Sequence, residues 1–198
     1  IIDFNVNDHR LVEQSSQIVF KQMPPDFIFY TPAFYEPCGI EQLTDEIIDK
    51  TINTNIKSVL YFLRAISPLL KNRLTCQLNM LGSVTGYFGL PFSQPYSCTK
   101  AAFNNLIESY QSEYPEFNIK LINPGFVNTK LTAKNNFDMP GLMSTSQAAK
   151  IILTEIKKDK FEIHFPKKFT WKIKLLKLLP YRLCFRIMAS LKAKEPNR

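Results

Sequence analysis

A chain of 198 residues, 45% of them hydrophobic, can bury the core of one domain, and no apolar run reaches the roughly 18 residues of a membrane-spanning helix. The net charge of +8 comes from the carboxyl-terminal end, because residues 167–198 hold ten lysines and arginines and one glutamate. These basic residues alternate with Leu and Ile rather than with stacking aromatics, which argues against nucleic-acid binding.

The four cysteines show neither close pairing nor the spacing of metal ligands, and two histidines accompany them. This usage is typical of reduced, partly buried thiols, so we expect a cytoplasmic protein without a metal site. His164 falls in a strand pattern with no partner motif, and we expect it to be structural rather than catalytic.

Helical and strand patterns alternate along the chain. Residues 9–22 have the helical period, with Leu11, Ile18, Val19 and Met23 as expected inner residues. Residues 26–30 form a short apolar run typical of a central parallel strand. Further helices are predicted at 45–50, 55–70, 97–112 and 144–157, and further strands at 74–81, 117–122 and 161–165. Thr44 is the expected cap of the first of these helices, and Ser144 to Gln147 has the pattern of a capping box before the last.

The stretch from Ser83 to Lys100 carries the strongest chemical signal. Tyr96 and Lys100 are four residues apart, so on a helix they share one face. A nearby ammonium favours the phenolate, and a phenol whose pKa is lowered in this way can exchange a proton with an alcohol oxygen. Ser83, at the end of a predicted strand, can bring a hydroxyl to the same oxygen. The bare pair is also compatible with an exposed tyrosine beside a solvated lysine.

Two further segments accompany this stretch. Residues 53–58 read Asn-Thr-Asn-Ile-Lys-Ser, and residues 123–129 read Asn-Pro-Gly-Phe-Val-Asn-Thr. In this order and spacing, Ser83, the pair of Tyr96 and Lys100, and these two segments closely resemble the short-chain dehydrogenase/reductase family over residues 1–166. The resemblance implies an α/β fold with a doubly wound, Rossmann-like parallel sheet and hydride transfer between NADP or NAD and a carbonyl or alcohol.

The resemblance also implies a role for each catalytic residue. Tyr96 would be the general acid/base, and Lys100 would lower its pKa and hold the nicotinamide ribose. Ser83 would hydrogen-bond the substrate oxygen. Asn55 would complete the proton relay, although an asparagine also suits a helix amino terminus for structural reasons alone.

Cofactor contacts are implied at both ends of the matched region. Residues 4–8 resemble the end of the family's third strand, and Asn5 stands where the family commonly has an aspartate near the adenine. Pro124 and Gly125 belong to the Pro-Gly segment, in which Val127 through its backbone and Thr129 through its hydroxyl would contact the cofactor. Residues 129–143 correspond to the lid over the substrate, and their apolar, Met-rich content suggests an apolar substrate.

The sequence departs from the family in two places. It contains no Gly-x-x-x-Gly-x-Gly turn, so we expect this domain to be incomplete at its amino terminus and residues 1–198 alone to be inactive. The family's Asn-Asn-Ala-Gly is replaced by Tyr-Thr-Pro-Ala at residues 30–33. That replacement is compatible with a harmless loop variant, with an altered grip on the cofactor, or with a catalytically silent binding protein.

We therefore divide the chain into a partial catalytic domain, residues 1–166, and a basic amphipathic helical tail, residues 167–198. On a helical wheel, the second half of the tail gathers its apolar residues on one side: Tyr181, Leu183, Cys184, Phe185, Ile187, Met188 and Leu191. Two interpretations of the tail remain open: a peripheral membrane contact, which would also suit a membrane-surface scaffold, and a helix packed on the domain. The helices at 55–70 and 97–112 correspond to those through which the family commonly pairs, so we expect a homodimer. The partner would be a small carbonyl or alcohol substrate.

Overall fold

The computed structural model describes residue 2 and residues 4–192, the side chains of residues 190–192 excepted. The described residues contain four parallel strands that lie side by side in chain order. The strands are β1 (Phe27–Tyr30), β2 (Gln77–Leu81), β3 (Asn118–Pro124) and β4 (Glu162–Phe165). Strand β1 is a continuous apolar run, whereas polar and apolar residues alternate through most of β2, β3 and β4.

Seven α-helices surround this sheet within the described residues: α1 (His9–Gln22), α2 (Asp45–Ile52), α3 (Ser58–Lys71), α4 (Tyr96–Glu113), α5 (Thr145–Glu155), α6 (Lys167–Leu176) and α7 (Tyr181–Lys192). Side-chain caps begin several of them, as the sequence predicts for α2 and α5. The Thr44 hydroxyl accepts a hydrogen bond from the Ile47 amide, and Ser144 and Gln147 form a capping box.

The two faces of the sheet pack against different helices. Leu78 and Met80 of β2 belong to one buried cluster with side chains of α3 and α4. Ile122 of β3 and Ile163 of β4 point the other way, into a cluster that contains Ala148 of α5. Because successive strand residues alternate between the faces, helices cover both sides, and the predicted α/β fold with a parallel sheet is confirmed.

The inner face of α1 differs from the prediction. Leu11, Ile18 and Met23 are exposed, whereas Val12 and Ser15 are buried. Helix α1 packs mainly against α3, so the direction of that neighbour decides which of its side chains are buried. The predicted inner residues were therefore wrong except for Val19, which is half-buried.

Strand β1 lies at the edge of the described sheet, not at its centre as predicted. Its side chains Phe27 and Phe29 are 55% and 42% exposed. Residues 4–8, predicted to resemble the end of a strand, contain a turn instead. The carboxylate of Asp8 accepts hydrogen bonds from the Arg10 and Leu11 amides at the start of α1.

The tail is folded onto the domain. Ile173 and Leu176 of α6 and Met188 of α7 form a buried cluster with Val84 and Tyr87, which follow β2. The packed-helix interpretation therefore holds for the inner face of the tail. The side chains predicted on the apolar side of α7 are only partly covered. Cys184 and Met188 are buried and Ile187 is half-buried, whereas Tyr181, Leu183 and Phe185 are exposed. The side chain of Leu191 lies outside the described residues.

A half-buried carboxylate strengthens this contact. Glu162 of β4 accepts hydrogen bonds from the Tyr87 hydroxyl, from the Asn123 amide and from the Lys174 ammonium of α6. Burial raises the pKa of Glu162, but these donors outweigh it and hold the pKa below its ordinary value. One carboxylate thus joins β3, β4, the segment after β2 and the tail.

Two leucines in the tail test this packing. Leu176 is 7% exposed and Leu178 is 79% exposed. We expect Leu176→Ala to lower the free energy of unfolding by about 2–5 kcal/mol, because it removes apolar contacts and leaves a cavity, and Leu178→Ala to change it by less than about 0.5 kcal/mol. Urea unfolding measures both. Equal losses in the two variants would contradict the packing.

Candidate active site

Ser83 lies just beyond the carboxyl-terminal end of β2, as predicted. It begins a 3-10 turn at Val84–Gly86, and its Oγ accepts hydrogen bonds from the amide and the hydroxyl of Thr85 at 3.2 Å and 3.0 Å. The side chain is buried and lies close enough to the hydroxyl of Tyr96 to lower the pKa of that phenol. The two hydroxyls, thirteen residues apart in the chain, therefore meet at the edge of a parallel sheet where ligands bind in such folds.

Tyr96 and Lys100 occupy the first two turns of α4 and face the same side. The Lys100 ammonium lies 5.7 Å from the centre of the Tyr96 ring and donates a hydrogen bond of 2.9 Å to the carbonyl of Leu81. The lysine is 3% exposed. It is thus a buried residue anchored to the end of β2, and the interpretation as a solvated lysine is wrong.

The pKa of Tyr96 differs from the sequence-based expectation. Its pKa is raised from 10 to about 12: burial raises it most, the nearby Ser83 hydroxyl lowers it in part, and the nearby Tyr35 raises it. Lys100 was expected to lower this pKa. Its ammonium is held at the Leu81 carbonyl, and its charge does not offset the loss of water around the phenol. At neutral pH the hydroxyl of Tyr96 is therefore protonated.

Burial also lowers the pKa of Lys100 from 10.5 to about 8. An ammonium that loses its water is disfavoured, and a single carbonyl replaces only part of that hydration. An ammonium has three N–H donors, so the group can make further hydrogen bonds at the site.

Asn55 lies in a π-helical turn, Asn53–Lys57, that joins α2 to α3 and was not predicted. Its side-chain oxygen accepts from the Phe34 amide at 2.7 Å, and its amide donates to the Phe34 carbonyl at 2.9 Å and to the Thr99 hydroxyl at 3.0 Å. These bonds fix the loop after β1 against α4, one residue from Lys100. A wider turn is frequent at functional sites because it redirects backbone groups.

Close packing between β2 and α4 requires two glycines. A Cβ at Gly82 would lie 2.2 Å from the Asn123 side-chain oxygen and 2.7 Å from that of Asn104. A Cβ at Gly86 would lie 2.6 Å from the backbone oxygen of Lys100. Both approaches are shorter than a carbon atom allows, so glycine at these positions sets the distance between Ser83 and α4.

Tyr35 is a site residue that the sequence did not reveal. Its ring packs edge-on against Tyr96 with centroids 4.9 Å apart, and its hydroxyl donates to the Asn135 side chain at 2.8 Å. Lys134 donates to the Tyr35 carbonyl and pairs with Glu36. The loop after β1 is thereby tied to the lid segment, residues 129–143. The only sequence signal was the departure from the family's usual Asn-Asn-Ala-Gly.

The implied cofactor residues lie at the same edge of the sheet. Pro124 ends β3 and Gly125 follows it, and Val127 pairs with Met143 across the lid. The amide of Thr129 donates to the Thr132 hydroxyl at 2.9 Å. Asn5 lies apart from them, in the exposed turn before α1, where its side chain accepts from the Asn7 amide.

Other features of the described residues do not compete with this site. A cavity of about 530 Å³ lies at the opposite end of the sheet, against Gln77, Phe117 and Asn118. Within the described part of the chain, no three His, Cys, Asp or Glu side chains cluster as metal ligands, and no helix is long and apolar enough to cross a membrane. The buried ring of His164 bonds the Thr170 hydroxyl at 2.6 Å, a structural contact as expected.

The pKa of Lys100 gives a stability test. Between pH 8 and 10.5 the unfolded chain binds more protons at this residue than the folded chain, so its contribution to the free energy of unfolding rises with pH. From pH 7 to 9.5 we expect wild type to gain about 2 kcal/mol relative to Lys100→Met. Urea unfolding of both proteins at each pH measures the difference. A difference that stays constant with pH would contradict the lowered pKa.

Several known proteins are similar to this chain. An oxidoreductase of Myxococcus xanthus that is otherwise uncharacterised is 31% identical over 142 residues, which are 71% of this chain and 56% of that protein. A 3-ketodihydrosphingosine reductase of Bacteroides thetaiotaomicron is 27% identical over 122 residues, which are 61% of this chain and 45% of that protein. The chain thus spans about half the length of these relatives.

The fold comparison agrees. A short-chain dehydrogenase from Burkholderia cenocepacia, solved in complex with NADP, superposes with a TM-score of 0.80 at 15% identity, over 96% of this chain and 80% of that one. One from Burkholderia phymatum, in complex with NAD, gives 0.77 at 16% identity, over 89% and 74%. The family profile described as short chain dehydrogenase matches residues 1–140. The chain belongs to the short-chain dehydrogenase family.

Proposed function

We propose that the whole protein is an NAD(P)-dependent oxidoreductase that interconverts a carbonyl and an alcohol. The observation that carries the proposal is the arrangement at the end of β2, where Tyr96 shares a helix face with the buried ammonium of Lys100 and Ser83 lies close enough to the Tyr96 hydroxyl to lower its pKa. A proton donor, a second hydroxyl and a buried cation in one place are the groups that this reaction requires.

Each residue has a separate part in the mechanism. Tyr96 donates its proton to the substrate oxygen during reduction, and its pKa of about 12 keeps the donor protonated at neutral pH. Ser83 hydrogen-bonds the same oxygen and stabilises the phenolate that remains, since its bond lowers the pKa of Tyr96. The Lys100 ammonium adds positive charge beside that phenolate. Asn55 would continue the proton path from Lys100.

The residues at the site fit a nicotinamide dinucleotide. The Lys100 ammonium has donors to spare beyond its one bond to Leu81 and can hold the hydroxyls of a ribose. Thr129 and the backbone of Val127 would contact the nicotinamide side, Pro124 and Gly125 would line the pocket, and Asn5 would lie towards the adenine. When bound, NADP or NAD supplies or accepts the hydride. The Burkholderia structures hold NADP and NAD respectively, which supports either cofactor here.

We propose an apolar substrate. The lid segment, residues 129–143, contributes Phe137, Met139, Leu142 and Met143, which can adapt to an apolar group. The Bacteroides relative is named a 3-ketodihydrosphingosine reductase, which also favours an apolar carbonyl compound.

A second candidate is a binding protein of the same fold without turnover. The ring of Tyr35 against Tyr96 favours it, because an aromatic ring there narrows the approach to the phenol. Turnover with any carbonyl substrate separates the two candidates.

A single hydroxyl tests the catalytic assignment. In the complete protein we expect Tyr96→Phe to lower kcat by about 10²–10⁴-fold, because the proton donor is lost while the ring keeps its packing. Consumption of reduced nicotinamide with a panel of carbonyl compounds measures kcat, and thermal unfolding confirms the fold. Tyr61→Phe, which removes a hydroxyl outside the site, is the control. Near-normal turnover by Tyr96→Phe would exclude the assignment.

We also propose that the complete protein is a homodimer formed through α3 and α4. A groove between these helices is lined by apolar side chains, and Leu60 on its rim is 46% exposed. We expect Leu60→Glu to convert a dimer to a monomer in light scattering, because a paired interface would bury the new charge. Leu153→Glu on α5, where the leucine is 56% exposed, should leave the dimer intact. A wild-type monomer at micromolar concentration would contradict the proposal.

In this proposal, residues 1–166 form the catalytic part, residues 167–198 form a basic segment that contacts membranes, and the protein works in the cytoplasm. The exposed apolar and basic side chains of α6 and α7 favour the membrane contact.

A further inference from the structure

The outer face of the tail carries an apolar stripe. Trp171, Leu175 and Leu178, at spacings of four and three residues, are 53%, 53% and 79% exposed. At roughly 100° per residue they share one side of α6 and of the turn after it. The opposite side holds Ile173 and Leu176, which are buried in the core. The helix therefore has two apolar sides, and the fold uses one of them.

The stripe extends into α7. Tyr181 and Phe185 are 73% and 61% exposed, and their rings stack on each other with centroids 5.7 Å apart. We call the five side chains Trp171, Leu175, Leu178, Tyr181 and Phe185 the tail face. Exposed large apolar side chains concentrated on neighbouring elements in this way are typical of an interaction site.

The charged residues of α6, α7 and the turn between them are all basic. Residues 167–192 contain no acidic residue. Lys174 pairs with Glu162 on the domain side, but the remaining cations of α6, α7 and the turn between them are exposed, up to the limit of the described side chains. These cations are Lys167, Lys168, Lys172, Lys177, Arg182 and Arg186. On the helical wheel of α6, Lys168 and Lys172 flank the stripe on one side and Lys167 on the other.

We infer that the tail face is a docking surface for an anionic lipid bilayer, from which the protein takes an apolar, membrane-dissolved carbonyl or alcohol substrate. The docking follows from charge complementarity: apolar side chains enter the interface while the flanking cations meet anionic headgroups. A folded acidic protein would match the cations but would also need an apolar patch whose shape fits the stripe. An anionic bilayer offers negative charge and an apolar interior to a stripe of any shape.

The substrate route rests on the proposed function and follows from the contacts of α6 with the loop after Ser83 and, through Phe126, with the lid segment. The inner face of α6 contacts Val84 and Tyr87, which follow Ser83. At the start of α6, Phe169 packs on Phe126 with centroids 5.6 Å apart, and Phe126 packs on Phe137 of the lid segment at 5.8 Å. A helix is about 10 Å across. Docking would therefore hold the catalytic loop and the lid within about one helix diameter of the membrane surface.

Vesicle flotation of the complete protein tests the docking. We expect binding to vesicles of 30% phosphatidylserine in phosphatidylcholine, weaker binding to phosphatidylcholine alone, and loss of binding in high salt. Lys168→Gln with Lys172→Gln should lower the partition coefficient about 20-fold, whereas Lys21→Gln with Lys150→Gln should leave it unchanged. No binding by wild type, or equal loss in both double variants, would overturn the inference.

The apolar half of the face is tested separately. Leu175→Gln with Leu178→Gln should lower vesicle binding by at least tenfold, because it removes two side chains from the interface. Leu153→Gln on α5, where the leucine is equally exposed, should not. Thermal unfolding should be unchanged in both. Equal vesicle binding by the double variant and Leu153→Gln would overturn the docking. A smaller oligomer of the double variant than of wild type, in light scattering without vesicles, would also overturn it, because it would show that the tail face pairs two copies of the chain.

The substrate route needs an activity measurement that distinguishes its failure from failure of the proposed function. With a short, water-soluble ketone, wild type and the Leu175/Leu178 double variant should turn over equally. With a long-chain ketone dissolved in anionic vesicles, kcat/KM of the double variant should fall at least tenfold. Activity on the soluble ketone with no vesicle-dependent difference would overturn the route and leave the proposed function standing. No turnover of either ketone by wild type would overturn both.

Discussion

The close approach of α4 to the carboxyl-terminal end of β2 is the constraint on which the site depends. Gly82 and Gly86 lie where a methyl group would meet Asn123, Asn104 or the backbone of Lys100. This approach lets the Lys100 ammonium reach the Leu81 carbonyl and lets Ser83 meet the Tyr96 hydroxyl. A helix held even 1 Å further away would weaken both contacts, because hydrogen bonds tolerate little stretching.

That constraint has an electrostatic consequence. Packing tight enough to join the three side chains also removes water from them, which raises the pKa of Tyr96 and lowers that of Lys100. Burial shifts both groups towards their neutral forms, contrary to the phenolate that the spacing suggested, although Lys100 stays mostly protonated at neutral pH. Before the reaction, Tyr96 is therefore a protonated donor beside Lys100, whose pKa of about 8 lies within about a unit of physiological pH.

The sequence predicts best what depends on neighbours in the chain. The cap at Thr44, the capping box at Ser144 and the shared face of Tyr96 and Lys100 follow from spacing alone, and the structure has all three. Short apolar or alternating runs also locate the strands to within a few residues, because both patterns are typical of strands that pack against neighbouring layers.

What the sequence misses depends on contacts between distant segments. The π turn at Asn53–Lys57 has no compositional signature, and Tyr35 reaches Tyr96 and Asn135 only through the fold. The inner residues of α1 depend on which helix it packs against. The burial that decides the pKa of Tyr96 is likewise a property of the assembled site. Periodicity identifies an apolar side of α7 but cannot show that the domain covers only part of it.

The Glu162 carboxylate unites parts of the chain that are far apart in sequence. Its three donors come from the segment after Ser83, from β3 and from α6. Separating any one of them leaves a half-buried charge short of a partner, so partial opening is costly. In native-state hydrogen exchange, amides of α6 and of residues 84–87 should therefore share one opening free energy and exchange as a single cooperative unit. The tail is in this sense a structural part of the catalytic loop.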